Sequence, residues 1–439
     1  LPENEKEQNF MGNLKSDIQS LSFLKWLNIS ADLHSDSLTF RKNSLSNVTL
    51  KAEAKDGIVH ITELSGEDLL NTNFKLNAEV NNLGSLDISF KDLNFDVRSS
   101  NMSEVKNSLK LPWPDWKIFK AADFEASGTY NGNLHEGTLK AKGVADEVKL
   151  EYDGLVKQEE NFGFDGRLDI KTTNFGEFVN NVGGSFKLTT ATRGALNCNG
   201  LLSGDSQNWK FDQTSCLWGI VTYQGSGEVT VGKNTYKVAA DLSADDLNLE
   251  NLLEIQTSKN VPAINRQQEN NFLQRPNLSA DTFIFDIYRN LYLDINLNAA
   301  KVSYQGNSFK DLSVKILNSE NVMQLNNLNM TADNQKINGN LLINYIQDTI
   351  VKGNLQISDI DLANAGGSVY GFGSGTMTLT GNFEMPAASV SDFVNNYTGS
   401  ISFKADDVKI YGFNFAAIEE DLAKRQYSKG LFQVIRDNL

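Results

Sequence analysis

Apolar and polar residues alternate with a period of two along most of this chain. The clearest run is Leu291-Tyr292-Leu293-Asp294-Ile295-Asn296-Leu297-Asn298, in which every odd position is aliphatic. Successive side chains of a strand point to opposite faces, so such a run makes one apolar and one wet face. Shorter runs recur at Leu38–Phe40, Val48–Leu50, Val302–Tyr304, Leu312–Ile316, Met377–Leu379 and Ile401–Phe403. Clusters of Gly, Asn, Asp and Ser lie between them and supply tight turns, at a strand-to-strand spacing of roughly ten residues. The pattern predicts a mainly β, meandering antiparallel fold. Short helices are expected only at Glu3–Ser20, Gly176–Val182, Leu249–Ile255, Ser391–Tyr397 and Phe415–Arg436, the last amphipathic.

An apolar face must be covered. The chain has 439 residues, of which 40% are hydrophobic, and it offers few helices as cover. Roughly 25 strands in one meander exceed what a flat open sheet tolerates before it curls or splits. Alternation alone leaves three solutions open: two sheets face to face as in a string of sandwiches, a sheet closed as a barrel, or one long sheet curled into a gutter. The gutter predicts an elongated, curled antiparallel β-sheet with an open apolar groove. An exposed apolar trough is a liability unless something fills it. Acyl chains would, because each buried CH₂ is worth about 0.8 kcal/mol.

Internal repetition favours the continuous sheet. Trp26–Leu64 aligns without gaps on Asn290–Leu328, Leu38 falling on Val302 at a displacement of 264 residues (302 − 38). Leu27, Ile29, Leu33, Phe40 and Leu50 fall on Leu291, Leu293, Leu297, Tyr304 and Val314. A second match pairs Glu177–Asn181 with Asp392–Asn396 at a displacement of 215 (393 − 178). Both matches keep the same order, which is the signature of duplication. The expected organisation is an N-terminal leader or helix over 1–22, a first repeat over 23–255, a linker or long loop over 256–282, and a second repeat over 283–439. The linker is rich in Asn and Gln and lacks alternation.

The search for chemistry returns little. Forty basic against 55 acidic residues give a net charge of −15, which argues against nucleic acid and against docking onto anionic lipid by charge. His34, His60 and His135 lie in separate polar stretches and read as isolated surface residues. The glycines at Gly371–Gly375 and Gly225–Gly227 fit no phosphate-binding or nucleophile-elbow spacing and read as strand ends or bulges. Cys198 and Cys216 are the only cysteines, too few for a structural zinc site. They are either a disulfide or two buried thiols. No cofactor, metal or catalytic set is predicted. No run of about 18 apolar residues is present. The start at Leu1 carries no signal-peptide pattern, and the end follows a helix-like segment, so the chain reads as a piece of a longer protein.

One stretch carries a family resemblance. Gly373–Phe415 reads as a Gly-rich strand (GSGTMTLTGN), then SVSDFVNNY, then Thr398-Gly399-Ser400 opening a strand, then DDVKIYGFNF before a helix. This resembles the C-terminal region of the AsmA-like proteins. Asp245–Leu249 and Ser358–Leu362 are similar to that family's strand-to-helix junctions. The resemblance implies the β-groove of TamB-like and bridge-like lipid transfer proteins. It also implies a periplasmic location, an inner-membrane anchor in a segment not contained here, and a role in outer-membrane biogenesis. Its partners would be phospholipid acyl chains and the inner and outer membranes, and it would have no catalytic residues. The expected groove lining is Ile29, Leu33, Phe40 and Leu50 in the first repeat, and Leu293, Ile295, Leu297, Tyr304 and Val314 in the second. The alternative is a structural or adhesive β-solenoid, or a string of sandwiches, that binds protein or glycan at its surface.

Overall fold

The computed structural model describes residues 28–40, 43–83, 87–109, 124–158, 162–176, 194–205, 207–232, 235–249, 254–256, 282–284, 288–304, 306–346, 349–364, 372–386 and 398–410. The expected helices at Glu3–Ser20, Ser391–Tyr397 and Phe415–Arg436 lie outside these residues, as do most of Gly176–Val182 and the second repeat match at Glu177–Asn181 and Asp392–Asn396.

The protein is mainly β. Its strands are β1 (Ile29–Phe40), β2 (Asn43–Lys55), β3 (Ile58–Glu67), β4 (Thr72–Asn81), β5 (Ser89–Ser99), β6 (Phe124–Asn133), β7 (Glu136–Ala145), β8 (Val148–Gln158), β9 (Phe162–Thr172), β10 (Leu196–Gly204), β11 (Asn208–Trp218) and β12 (Val221–Val231). They continue with β13 (Tyr236–Asn248), β14 (Glu254–Gln256), β15 (Thr282–Ile284), β16 (Leu291–Tyr304), β17 (Asn307–Ser319), β18 (Val322–Ala332), β19 (Gln335–Asn344), β20 (Ile350–Asp361), β21 (Phe372–Pro386) and β22 (Thr398–Ile410). Twenty of these form one open antiparallel sheet, and β14 and β15 form a separate two-stranded pair. Among the described residues the one two-turn helix is α1 (Met102–Leu109), which Asn101 caps by accepting from the Glu104 backbone N–H at 3.3 Å. The alternation pattern did not anticipate it.

By compactness the chain divides into unit 1, Leu1–Ser243 with Asn290–Tyr292, and unit 2, Ala244–Arg289 with Leu293–Leu439. Within unit 1, each strand from β1 to β12 pairs antiparallel with the next in sequence. Within unit 2, β16 to β22 do the same. Short loops make this meander possible. Asp56-Gly57, Glu320-Asn321 and Asp333-Asn334 all hold positive φ, the backbone of a two-residue hairpin turn that matches strand twist.

The gapless match between Trp26–Leu64 and Asn290–Leu328 extends to the backbone. β2 and β17 have the same bounds after displacement by 264 residues (43 to 307, 55 to 319). Leu33 opposes Leu50 as Leu297 opposes Val314. Asn47 (φ 50°) and Asp311 (φ 55°) are equivalent and sit at equivalent register shifts against β3 and β18. Bulges of this kind re-aim a strand.

The junctions at Asp245–Leu249 and Ser358–Leu362 also turn from strand to helix. β13 ends at Asn248 and β20 at Asp361, and Leu249 and residues 362–364 are helical. Asp361 caps the second by accepting from the Ala363 N–H at 2.9 Å. The helix expected over Leu249–Ile255 does not extend that far, because Glu254–Gln256 pair with Thr282–Ile284 as β14 and β15. That pair brackets the Asn/Gln-rich linker, whose residues 257–281 lie outside the described set.

Candidate functional site

Register carries apolar side chains from strand to strand in unbroken rows. In unit 1 the row Leu33, Leu50, Leu64, Leu76, Phe95, Gly128, Ala141, Tyr152, Leu168, Gly200 crosses ten consecutive strands. The adjacent row Gly66, Phe74, Val97, Ala126, Gly143, Leu150, Ile170, Cys198, Cys216, Tyr223 crosses another ten. In unit 2 the row Ile295, Ile316, Leu325, Leu341, Gly353, Phe383, Gly399 crosses seven. Because pairing positions on an antiparallel sheet share a face, each unit presents a continuous apolar face. Most of its side chains are half-buried. Two clusters within it are tighter. One joins Ala78, Val80, Leu83 and Ile88, and the other joins Met323, Ile343, Tyr345, Val351 and Met385.

Glycines on this face let large neighbours lie against the backbone. A Cβ on Gly137 would come within 2.5 Å of the Tyr130 ring, and one on Gly154 within 2.8 Å of the Tyr152 hydroxyl. Each tyrosine then turns its hydroxyl to a carbonyl three residues on: Tyr130 donates to Asn133, and Tyr152 donates to Leu155 at 2.6 Å. Burial raises the pKa of both phenols above the ordinary value. The rings thus cover backbone that glycine leaves bare, and their polar tips are satisfied.

The opposite face is wet and ion-paired. Lys51 and Lys75 flank Glu63 at 3.0 and 3.2 Å, and the two ammonium groups hold its carboxyl below the usual carboxylate range. Lys140–Asp153, Lys142–Glu151 and Lys315–Asp294 bridge neighbouring strands at 3.1, 3.3 and 3.0 Å. Exposed pairs of this kind contribute little stability each, but they keep one face hydrated.

Apart from Phe40, the expected lining residues fall on the apolar face in unequal environments. Ile29 and Leu33 are 49% and 59% exposed; among the described residues β1 is registered only against β2. Leu50, Leu293, Ile295 and Tyr304 are half-buried. Leu297 and Val314 are buried, since β16 has neighbours on both sides; the end of β13 lies beside it and Asp246 binds Lys301 at 2.5 Å. Phe40 ends β1, and its side chain lies outside the described residues. Alternation missed the many small and aromatic members of the rows, such as Gly128, Ala141 and Tyr152. The Tyr-x-Gly spacing of Tyr130-Asn131-Gly132, Tyr152-Asp153-Gly154 and Tyr223-Gln224-Gly225 was the available signal.

Cys198 and Cys216 are directly opposed on β10 and β11, with Cα atoms 4.0 Å apart, and form a disulfide within the apolar face. His34, His60 and His135 are exposed on separate hairpins; His34 meets Thr49 and Asp36, and His60 meets Glu79. Gly375 lies among register shifts between β21 and β22, as its cluster predicted. Among the described residues no group of three or more His, Cys, Asp or Glu could share a metal ion, and no helix is long and apolar enough to cross a membrane. Comparison with known protein families, curated proteins and solved structures finds no match.

Proposed function

We propose that the chain is a non-enzymatic lipid conduit of the bacterial periplasm, holding phospholipid acyl chains along the apolar face of its sheet between the inner and outer membranes. The observation that carries this reading is the apolar row from Leu33 to Gly200, which crosses ten strands without a charged side chain. A monomer rarely leaves apolar surface on this scale half-exposed without a ligand for it. A row running across strands suits a flexible hydrocarbon, which needs continuity rather than a point contact. The disulfide supports an oxidising compartment. The Gly373–Phe415 resemblance to AsmA-like proteins points the same way.

Site-specific photo-crosslinking in cells tests it. Ile295 lies on the apolar face and Asp294, its neighbour, on the polar face, paired with Lys315. A crosslinker at position 295 captures phospholipid, and one at 294 does not. Equal labelling at both positions, or none at either, overturns the proposal.

A further inference from the structure

Part of the polar face of unit 2 is uncharged. Cross-strand ion pairs lie on this face in both units, among them Lys51–Glu63 and Lys140–Asp153 in unit 1 and Lys315–Asp294 and Lys336–Asp359 in unit 2. In unit 2 register lines up Asn329, Asn338, Gln356, Thr380 and Ser402 in one row. Asn340, Asn354, Asn382 and Ser400 form the next. Neither stretch holds a charge, in a chain that is 22% charged. Solubility does not require this, since ion pairs serve the same face elsewhere.

A shallow, open trough runs across the strands along the second row. One side is Asn340, Asn354, Asn382 and Ser400, and the other includes Leu342, Lys352, Glu384 and Thr398. Lys352 and Glu384 lie 3.0 Å apart and neutralise one another. The floor includes the backbone of Gly353 and Gly399. At Gly353 the apolar side is filled by Leu341 and Phe383, which a Cβ would meet at 2.6 and 3.0 Å. Asn340 is already engaged: its Oδ1 accepts from the Asn327 backbone N–H at 2.9 Å, and its amide donates to Asn354 at 3.3 Å. That positions the row.

A wall of amides and hydroxyls presents donors and acceptors together, which is what a polyhydroxylated ligand needs. An anionic or cationic ligand would call for concentrated opposite charge, and the trough has none. Strands recur every ~4.8 Å, close to the length of one residue in an extended β-linked pyranose chain. We propose that this trough binds an extended, neutral glycan laid across β19 to β22, one sugar over each strand. The site is on the opposite face from the proposed acyl-chain path and does not depend on it.

The test titrates the intact chain with cellohexaose, chitohexaose and maltohexaose, followed by calorimetry. At least one of the two extended chains binds. Maltohexaose, which coils, binds at least about tenfold more weakly, the loss expected when one or two hydrogen bonds fall out of register. Asn354→Ala combined with Asn382→Ala weakens binding by at least about tenfold. Ser400→Arg, an exposed position, blocks the trough independently, and Lys140→Ala on the unit 1 face changes nothing. Failure of all three sugars to bind at millimolar concentration overturns the proposal. So does equal binding of maltohexaose, or binding that survives both trough variants in chains with unchanged thermal unfolding.

Discussion

Asn318 occupies a position where alternation calls for an apolar side chain: it follows Val314 and Ile316 on the inward parity of β17. Register places it in a row with Leu293, Met323, Ile343, Val351 and Met385. It is 3% exposed and fully engaged, accepting from the Tyr345 hydroxyl at 2.7 Å and donating to the Tyr288 carbonyl at 3.0 Å. Tyr345 is itself buried, and that burial raises its pKa, against the smaller lowering effect of the Asn318 hydrogen bond. Asn318 therefore ties the residues before β16 to the tight cluster of unit 2. Removing Asn318 takes a hydrogen-bond acceptor away from a buried hydroxyl, which costs about 1–3 kcal/mol. Asn318→Ala lowers stability by that amount or more in denaturant unfolding, because a cavity is added. Tyr345→Phe in the same background recovers part of the loss, since an apolar pair has no unmet hydrogen bond. A strictly additive double variant would show that the two groups do not act together.

The elements are set by alternation, but their aim is set by bulges. Asn327 (φ 54°) sits at a register shift between β18 and β19, and its N–H is held by the Asn340 amide oxygen. A β-branched residue in this left-handed backbone costs about 1–2 kcal/mol, whereas glycine adopts it freely. Asn327→Val is thus destabilising by that amount in chemical unfolding, and Asn327→Gly stays within about 0.5 kcal/mol of the parent. Equal effects of the two would remove the backbone from the account. The same physics explains what could be read in advance. β16 was legible because eight residues alternate without a break, and its match to β1 was legible because Ile29, Leu33 and Phe40 fall on Leu293, Leu297 and Tyr304 without a gap. The bulges at Asn47, Asp311 and Asn327 were not legible, since Asn, Asp and Gln serve turns, bulges and wet faces alike. α1 was missed because its eight residues are too few to establish a helical period. The exposure of Leu33 against the burial of Leu297 was invisible, because a strand's neighbours are not written in its own sequence. The pairing of Cys198 with Cys216 likewise needed the β10–β11 register.

At the scale of the molecule, the same device is used in both units: a meander whose every strand contributes to one apolar and one polar face. A domain that closes a core pairs such a face with a second sheet or a helical layer. Among the described residues the second sheet is only the β14–β15 pair, and the one two-turn helix is α1. The apolar rows therefore remain the surface on which the proposed function turns, and occupancy of that surface is measurable directly. An organic extract of the purified chain carries phospholipid in stoichiometric amount by mass spectrometry. Ile295→Asp places a carboxylate at the β16 end of the row that runs on through Ile316 to Phe383. A carboxylate facing hydrocarbon is strongly unfavourable unless it is neutralised or hydrated, so the variant loses its bound lipid. Ile295 is only half-buried, and water reaching it keeps the penalty to folding small. The circular dichroism spectrum and unfolding midpoint of the variant therefore stay close to the parent, while Asp294→Ala, on the ion-paired face, changes neither lipid content nor fold. A parent chain with a clean extract, or an Ile295→Asp chain that keeps its lipid, would mean that the apolar face is core and that the work of the protein is done on its polar side.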